Sequence, residues 1–259
     1  MIEDTAGGTP WVVELPEQAQ PYDERFILVH EGKREEIHLH DYARVYSVPG
    51  LYEYVVQDLL QCKSPAVAVR ATSAAAKELH LDIKTLRILD LGAGVGVVGE
   101  LLHDAGVSAV VGLDNIVEAR TACDRDRPTV YEDYIVGDLG RSDSALVERL
   151  AAGQFEVLMC VGAIGGGHVP PAAFIQAVNT LIGAALIVMT VHERWLEADS
   201  RDPFSATLHA MINEGYLEVL KSSSFRHRLD MAGAPITYRV LVLRRGAAVP
   251  ADLASRSGA

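Results

Sequence analysis

RILDLGAGVGVVGELLHDAGVSAVVGLDN, residues 87–115, is the stretch whose reading decides the fold. Ile88, Leu89 and Leu91 form a short apolar run with no room for an exposed face, as a central parallel strand requires. Gly92, Gly94 and Gly96 follow at alternate positions, where a missing Cβ lets the backbone turn tightly and approach a ligand. The pattern predicts a helix over about 97–105, ended by Gly106 as its C′ residue. Val110, Val111 and Leu113 then make a second strand with Asp114 at its carboxyl end, the edge at which open parallel sheets bind ligands.

Downstream, the alternation continues. A helix over 116–123 dissolves into the polar Asp124-Arg125-Asp126-Arg127-Pro128, and a third strand over 134–138 again ends in an acid, Asp138. A helix over 144–152 follows, then a strand over 155–161 and a glycine-rich loop over 162–167. Pro170-Pro171 starts the next helix, and a fifth strand over 184–190 leads into His192-Glu193-Arg194-Trp195. Asp202-Pro203 caps a helix ending near Gly215. Two closing strands, about 216–220 (with a polar continuation up to Leu229) and 236–243, have no helix between them. With no helix between them the last crossover is missing, so one strand must run antiparallel, since parallel neighbours need a long connection.

Upstream, residues 1–25 carry Gly7, Gly8, Pro10, Pro16 and Pro21 and read as a loose lead-in. Residues 25–30 and 34–40 read as a β-hairpin around Glu31-Gly32-Lys33. From Asp41 to Cys62 the pattern is helical and rich in tyrosine, with a break at Pro49-Gly50. Ser64-Pro65 reads as an N-cap and N1 proline for a helix reaching about His80. The expected organisation is an N-terminal extension over 1–64, a ligand-binding α/β domain over 65–245 and a tail over 246–259.

Two ligand classes use such a layout. Gly94, Gly96 and Gly99 satisfy G-x-G-x-x-G and, with Asp114, allow a dinucleotide site. Asp90-Leu91-Gly92-Ala93-Gly94-Val95-Gly96 is also D-x-G-x-G-x-G, and here the chain resembles the class I S-adenosylmethionine-dependent methyltransferases. A dinucleotide fold has six strands in all-parallel order. The resemblance implies a doubly wound, mostly parallel seven-stranded α/β sheet with the last strand antiparallel, and the closing strand pair favours it. It also implies S-adenosylmethionine as cofactor, with S-adenosylhomocysteine as product. Asp90, Gly92, Ala93, Gly94 and Gly96 would run along the methionine portion, and Asp114, with Asn115 beside it, would take the ribose hydroxyls. Asp138 and Leu139 would face adenine, and Cys160, Val161 and Gly162 the tail and reaction centre.

A hydroxyl acceptor would call for a general base, and His168 and His192 follow the fourth and fifth strands at the edge where substrate arrives. His192 is slightly favoured by the polar and aromatic Glu193 and Trp195. Tyr42 and Tyr46, near the Pro49-Gly50 break, are candidates for a lid over cofactor or substrate, whereas Tyr52 and Tyr54 read as packing residues. The segments 193–204 and 222–235, together with the N-terminal helices, would shape the acceptor pocket.

Composition bounds the rest. Hydrophobic residues make up 49% of the 259, enough for a large core, and the net charge of −12 repels nucleic acid. A small organic acceptor, methylated on oxygen, nitrogen or carbon, is expected. Cys62, Cys123 and Cys160 lack C-x-x-C spacing, no H-E-x-x-H or acid cluster offers a metal site, and no apolar run spans a membrane. A cytoplasmic protein is expected, with homodimerisation open through an exposed hairpin edge. A cofactor-binding regulatory protein without catalysis, and an NAD(P)-dependent oxidoreductase, are the competing readings.

Overall fold

In a computed structural model of the chain, residues 11–16, 24–141, 143–164, 168–197, 200 and 202–257 are described. Most of the lead-in and Gly165–Gly167 lie outside them. The expected hairpin is present as β2 (Arg25–His30) and β3 (Lys33–His38). His30 pairs with Lys33, so the loop is Glu31-Gly32 alone, both with positive φ, as a tight two-residue turn requires. The lead-in is less loose than its composition implies. Trp11–Glu14 forms β1, antiparallel to β2, which completes a three-stranded sheet. Phe26, Leu28 and Ile37 of this sheet pack on Val45, Leu51 and Val55, and on Met231 from the far end of the chain.

A short helix, α1 (Tyr42–Ser47), is capped by Asp41, and a π-helical turn covers Glu53–Leu59. Helix α2 (Ser64–Glu78) begins one residue earlier than expected. Lys63 holds the cap position, and the Ser64 hydroxyl bonds the His227 ring and not its own helix.

The second sheet has seven strands. These are β4 (Ile88–Leu91), β5 (Val110–Asp114), β6 (Asp133–Val136), β7 (Val157–Cys160), β8 (Leu186–His192), β9 (Leu217–Leu229) and β10 (Pro235–Arg245). Their order is β6-β5-β4-β7-β8-β10-β9, with β10 antiparallel to both neighbours and the first five parallel. Every residue of β4, β5 and β7 is buried, which explains their unbroken apolar runs.

Layers of α2 and α3 (Val97–Asp104) cover one face with Ala68, Val69, Val98 and Leu102. The other face is covered by α5 (Ser144–Ala152), α6 (Pro171–Asn179) and α7 (Pro203–Asn213), through Leu150, Phe174 and Leu208 among others. Helix α4 (Val117–Asp126) runs through the acids at which it was expected to dissolve. The expected tail is packed: α8 (Leu253–Ser257) buries Leu253, and Val249 exchanges two hydrogen bonds with Asn179.

Strands β9 and β10 are far longer than the four-residue parallel strands. Their turn is held by Asp230, whose Oδ1 accepts from the amides of Ala232 and Ala234. The overhanging end bonds back to the segment before α2, from Lys63 N–H to the His227 carbonyl and from Leu229 N–H to the Leu60 carbonyl, both at 2.7 Å. This union places the hairpin and the tyrosine-rich segment over the carboxyl ends of the parallel strands.

Candidate functional site

That edge opens into a cavity of about 1400 Å³. Its floor is the loop between β4 and α3. Gly92 has φ +77°, and a Cβ there would lie 2.5 Å from the Ala163 Cβ. At Gly94, φ is +53° and a Cβ would lie 2.9 Å from the Tyr46 hydroxyl. Both sites exclude a side chain by conformation and by space.

Four of the loop's amides are satisfied within the protein. Gly92 and Ala93 donate to the Leu113 carbonyl at 2.8 and 3.1 Å, and Gly96 donates to that of Ala93 at 3.0 Å. Gly94 donates to Asp114 Oδ2 at 2.9 Å, while Asp114 Oδ1 accepts from the Ile116 amide at 3.0 Å. The Tyr134 hydroxyl donates to the Gly94 carbonyl at 2.7 Å. Asp114 is thus anchored through both carboxylate oxygens. Burial pushes its carboxyl above the usual range, and the Gly94, Ile116 and Asn115 amides pull it back.

Of the residues expected at a cofactor, Gly92, Ala93, Gly94, Asp114, Asn115, Asp138, Leu139, Val161 and Gly162 line the cavity. Asp90, Gly96 and Cys160 do not. Asp90 lies beneath the floor at 1% exposure, accepting from the Tyr131 hydroxyl at 2.7 Å, and burial raises its pKa to about 7. Cys160 is wholly enclosed in the core, and the α-carbon of Gly96 backs onto Cys123. The period of two along a strand turns alternate side chains away from the cavity, which a loop motif does not reveal. Asp138 reaches the cavity and also bonds the Gly140 amide at 2.8 Å and Arg141 at 3.2 Å. The Gly162 amide donates to Thr190 Oγ1 at 2.8 Å, tying the β7 loop to β8.

The roof is aromatic. Tyr42 stacks on Tyr46 with centroids 5.5 Å apart, and Tyr46 meets Tyr52 edge-on at 5.3 Å. Tyr52, read from sequence as packing, lines the cavity with them, while Tyr54 packs on Trp11. Burial raises the phenols of Tyr42, Tyr46 and Tyr52, which stay neutral hydroxyls. His168 stacks on His40 at 5.5 Å and meets Tyr42 at 5.2 Å, and burial lowers its pKa.

His192 lines the cavity between Trp195 and Tyr238, at 5.6 and 5.4 Å. Its Nδ1 accepts from the Arg194 amide at 3.2 Å, which leaves the ring proton on Nε2. In that form the imidazole presents Nε2–H as a hydrogen-bond donor.

Sequence reasoning missed the most deeply buried ion pair of the cavity. Arg228 reaches both oxygens of Glu24, at 2.7 and 2.6 Å, with both side chains 10% exposed. The partners come from opposite ends of the chain, so no local pattern announces them. Among the described residues, the cavity is lined by the carboxylates of Glu24, Asp114, Asp138, Glu193, Glu197, Asp202 and Asp230 against Arg194 and Arg228 alone. No group of three or more potential metal ligands occurs among the described residues, and no described helix is long and apolar enough to cross a membrane.

No protein-family model matches the chain, and no curated protein matches it in sequence. Solved structures match in fold. The chain is similar to magnesium protoporphyrin IX methyltransferase from Synechocystis PCC 6803, solved with S-adenosylmethionine bound, at 13% identity and TM-score 0.52 over 79% of this chain and 90% of that one. It is similar to a protein from Pyrococcus horikoshii described as a candidate RNA methyltransferase, at 16% identity and TM-score 0.52 over 72% and 88%. A third is an S-adenosylmethionine-dependent methyltransferase from Clostridium acetobutylicum ATCC 824, at 9% identity and TM-score 0.51 over 76% and 97%. At such identities the likeness establishes the fold. The seven-stranded sheet with reversed β10 belongs to the fold that these structures share.

Proposed function

We propose that the protein transfers a methyl group from S-adenosylmethionine to an oxygen, nitrogen or carbon of a small organic acceptor. The observation that carries this reading is the acid-walled cavity over the glycine loop. A dinucleotide site presents loop N–H groups to a pyrophosphate. Here those of Gly92, Ala93, Gly94 and Gly96 are bonded within the protein, and carboxylates dominate the walls. Those carboxylates would repel a pyrophosphate, whereas a cationic sulfonium without phosphates fits the charge.

On this reading the domain over 65–245 binds the cofactor and the extension over 1–64 roofs it. Asp114, beside Asn115, offers its carboxylate to the ribose hydroxyls, since charge-assisted bonds are the stronger kind. Asp138 and Leu139 face adenine, and Gly92 to Gly94 with Val161 and Gly162 follow the amino-acid tail. The cofactor supplies an electrophilic methyl on sulfur, so the protein's main task is alignment. Tyr46, pressed against Gly94, closes the site from above. His168 is the histidine placed to accept a proton from a hydroxyl acceptor. The acidic walls and net charge of −12 disfavour RNA, whose affinity comes from neutralised phosphates.

Thermal unfolding with S-adenosylhomocysteine, NAD and NADP in parallel tests the reading, because a ligand that binds only the folded state raises the transition. Stabilisation by S-adenosylhomocysteine alone is expected. Stabilisation by a nicotinamide dinucleotide and not by S-adenosylhomocysteine would overturn it.

A further inference from the structure

The cavity extends well past the glycine loop, to the overhanging end of β9 and β10. There His227 is 7% exposed, lines the cavity, and stacks on Tyr238 with centroids 3.9 Å apart and planes at 22°. Its Nδ1 lies 2.7 Å from the Ser64 hydroxyl and 3.8 Å from the Cys62 thiol. Ser64 is 1% exposed, and its hydroxyl has no other hydrogen-bond partner among the described residues. A buried hydroxyl with one partner donates to it, since otherwise its proton would be left unpaired. Two groups able to donate therefore converge on Nδ1, so Nδ1 is the acceptor and the ring proton sits on Nε2. Among the described residues Nε2 has no protein partner. His227 Nε2 is not among the buried unpaired side-chain atoms, so it is open to the cavity, and the group that meets it there comes from a ligand or water.

We infer that His227, locked by Ser64 as the Nε2–H form, reads the methyl acceptor by donating a hydrogen bond to a lone-pair oxygen of an uncharged aromatic compound. The aromatic class follows from the walls: Tyr42, Tyr52, His192, Trp195 and Tyr238 all line this end of the cavity. Flat faces and edges of this kind favour another ring. The absence of charge follows from the ions. Arg228 is occupied by both oxygens of Glu24, and Arg194 lies 5.8 Å from the Trp195 ring. Glu193, Glu197, Asp202 and Asp230 complete the wall, so a carboxylate or phosphate on the acceptor would be repelled. Burial and the neighbouring Arg228 hold the imidazole neutral, with a pKa lowered to about 3, so His227 orients the acceptor and is no base. Phenols and aryl carbonyls meet these requirements.

This inference rests on the proposal that the glycine-loop end holds S-adenosylmethionine, and the two fail separately. S-adenosylhomocysteine affinity of the unsubstituted protein, measured by calorimetry, tests the donor end alone. With that ligand saturating, ligand-observed NMR is then run with para-hydroxyacetophenone, para-hydroxybenzamide and para-hydroxybenzoate. Binding of the two uncharged compounds and not of the carboxylate is expected. Binding of the carboxylate in preference, or of none of the three, overturns the acceptor class. The ring nitrogens of His227, observed by long-range nitrogen–proton correlation, are expected to show the proton on Nε2; a proton on Nδ1 overturns the donor role. His227→Phe keeps the stack on Tyr238 and removes the donor, and should weaken the uncharged aryl compounds about tenfold. Ser64→Ala frees the ring to change tautomer and should weaken them less. Undiminished affinity in a cooperatively folding His227→Phe overturns the assignment. Should His227→Phe not fold, undiminished affinity in Ser64→Ala together with an Nδ1–H signal does so.

Discussion

Asp114→Ala separates the two tasks that the structure gives one carboxylate. Asp114 braces the glycine loop through the amides of Gly94 and Ile116, at 2.9 and 3.0 Å, and under the proposed function it also clamps the ribose. Removing it strands two N–H groups at a site 9% exposed. At ~1–3 kcal/mol for each unpaired group, a loss of about 2–6 kcal/mol in unfolding free energy is expected. Two hydrogen bonds to a charged acceptor contribute ~1.5–3 kcal/mol each, so S-adenosylhomocysteine affinity should fall by roughly 100-fold or more. Urea unfolding gives the first quantity, and calorimetric titration well below the transition gives the second. Asp114→Asn is the informative companion. It keeps one carbonyl acceptor but sets an NH₂ against one of the backbone donors, so it should fall between wild type and alanine in both assays. A variant destabilised as expected that binds S-adenosylhomocysteine with unchanged affinity would refute the clamp and leave Asp114 as a brace only.

Three further outcomes are expected. Burial holds the Asp90 carboxyl at about 7, above its usual ~4, so its contribution to stability is complete below about pH 4 and is lost as the pH rises through 7. Asp90→Asn, which still accepts from Tyr131, should flatten the fall in urea midpoint over that interval; an unaltered slope would contradict the assignment. Arg228→Met leaves Glu24 buried without its partner and should cost ~3–5 kcal/mol, with much of this recovered in the Glu24→Gln, Arg228→Met double variant. An additive double variant would show that the pair is not coupled. Gly92→Ala combines a positive φ with a Cβ 2.5 Å from that of Ala163 and should destabilise by ~2 kcal/mol or more, read as a lowered thermal midpoint.

Much of the α/β architecture is legible in the chain because its signals are local. Runs such as Val157–Cys160 are apolar throughout since both faces of the strand are covered. Gly106 ends α3 with φ +86° because only the residue after a helix needs that conformation. The missing helix between the last two strands made the reversed strand predictable, and the structure shows their connection to be the short Asp230–Ala234 turn. Where local signals misled, a tertiary partner had overridden them. Ser64 looked like a cap and instead serves His227, and the acids of α4 stay helical while Arg125 donates to the Tyr46 carbonyl. The expected tail is held by Leu253 and Asn179.

The candidate site divides along the same line. The residue pattern alone announces the glycine loop, Asp114 at the end of β5, Asp138 just past β6, His168 after β7 and His192 at the end of β8, because chain order in a parallel sheet carries each strand's carboxyl end to one edge. Only the tertiary structure decided which of these face the cavity and what stands opposite. It turned Asp90 and Cys160 into the core, spent the loop amides on Leu113 and Asp114, and set Arg228 on Glu24 and His227 on Ser64. Those pairings join residues far apart along the chain. Their energies depend on burial and approach in space, which the order of residues along a strand or helix does not encode.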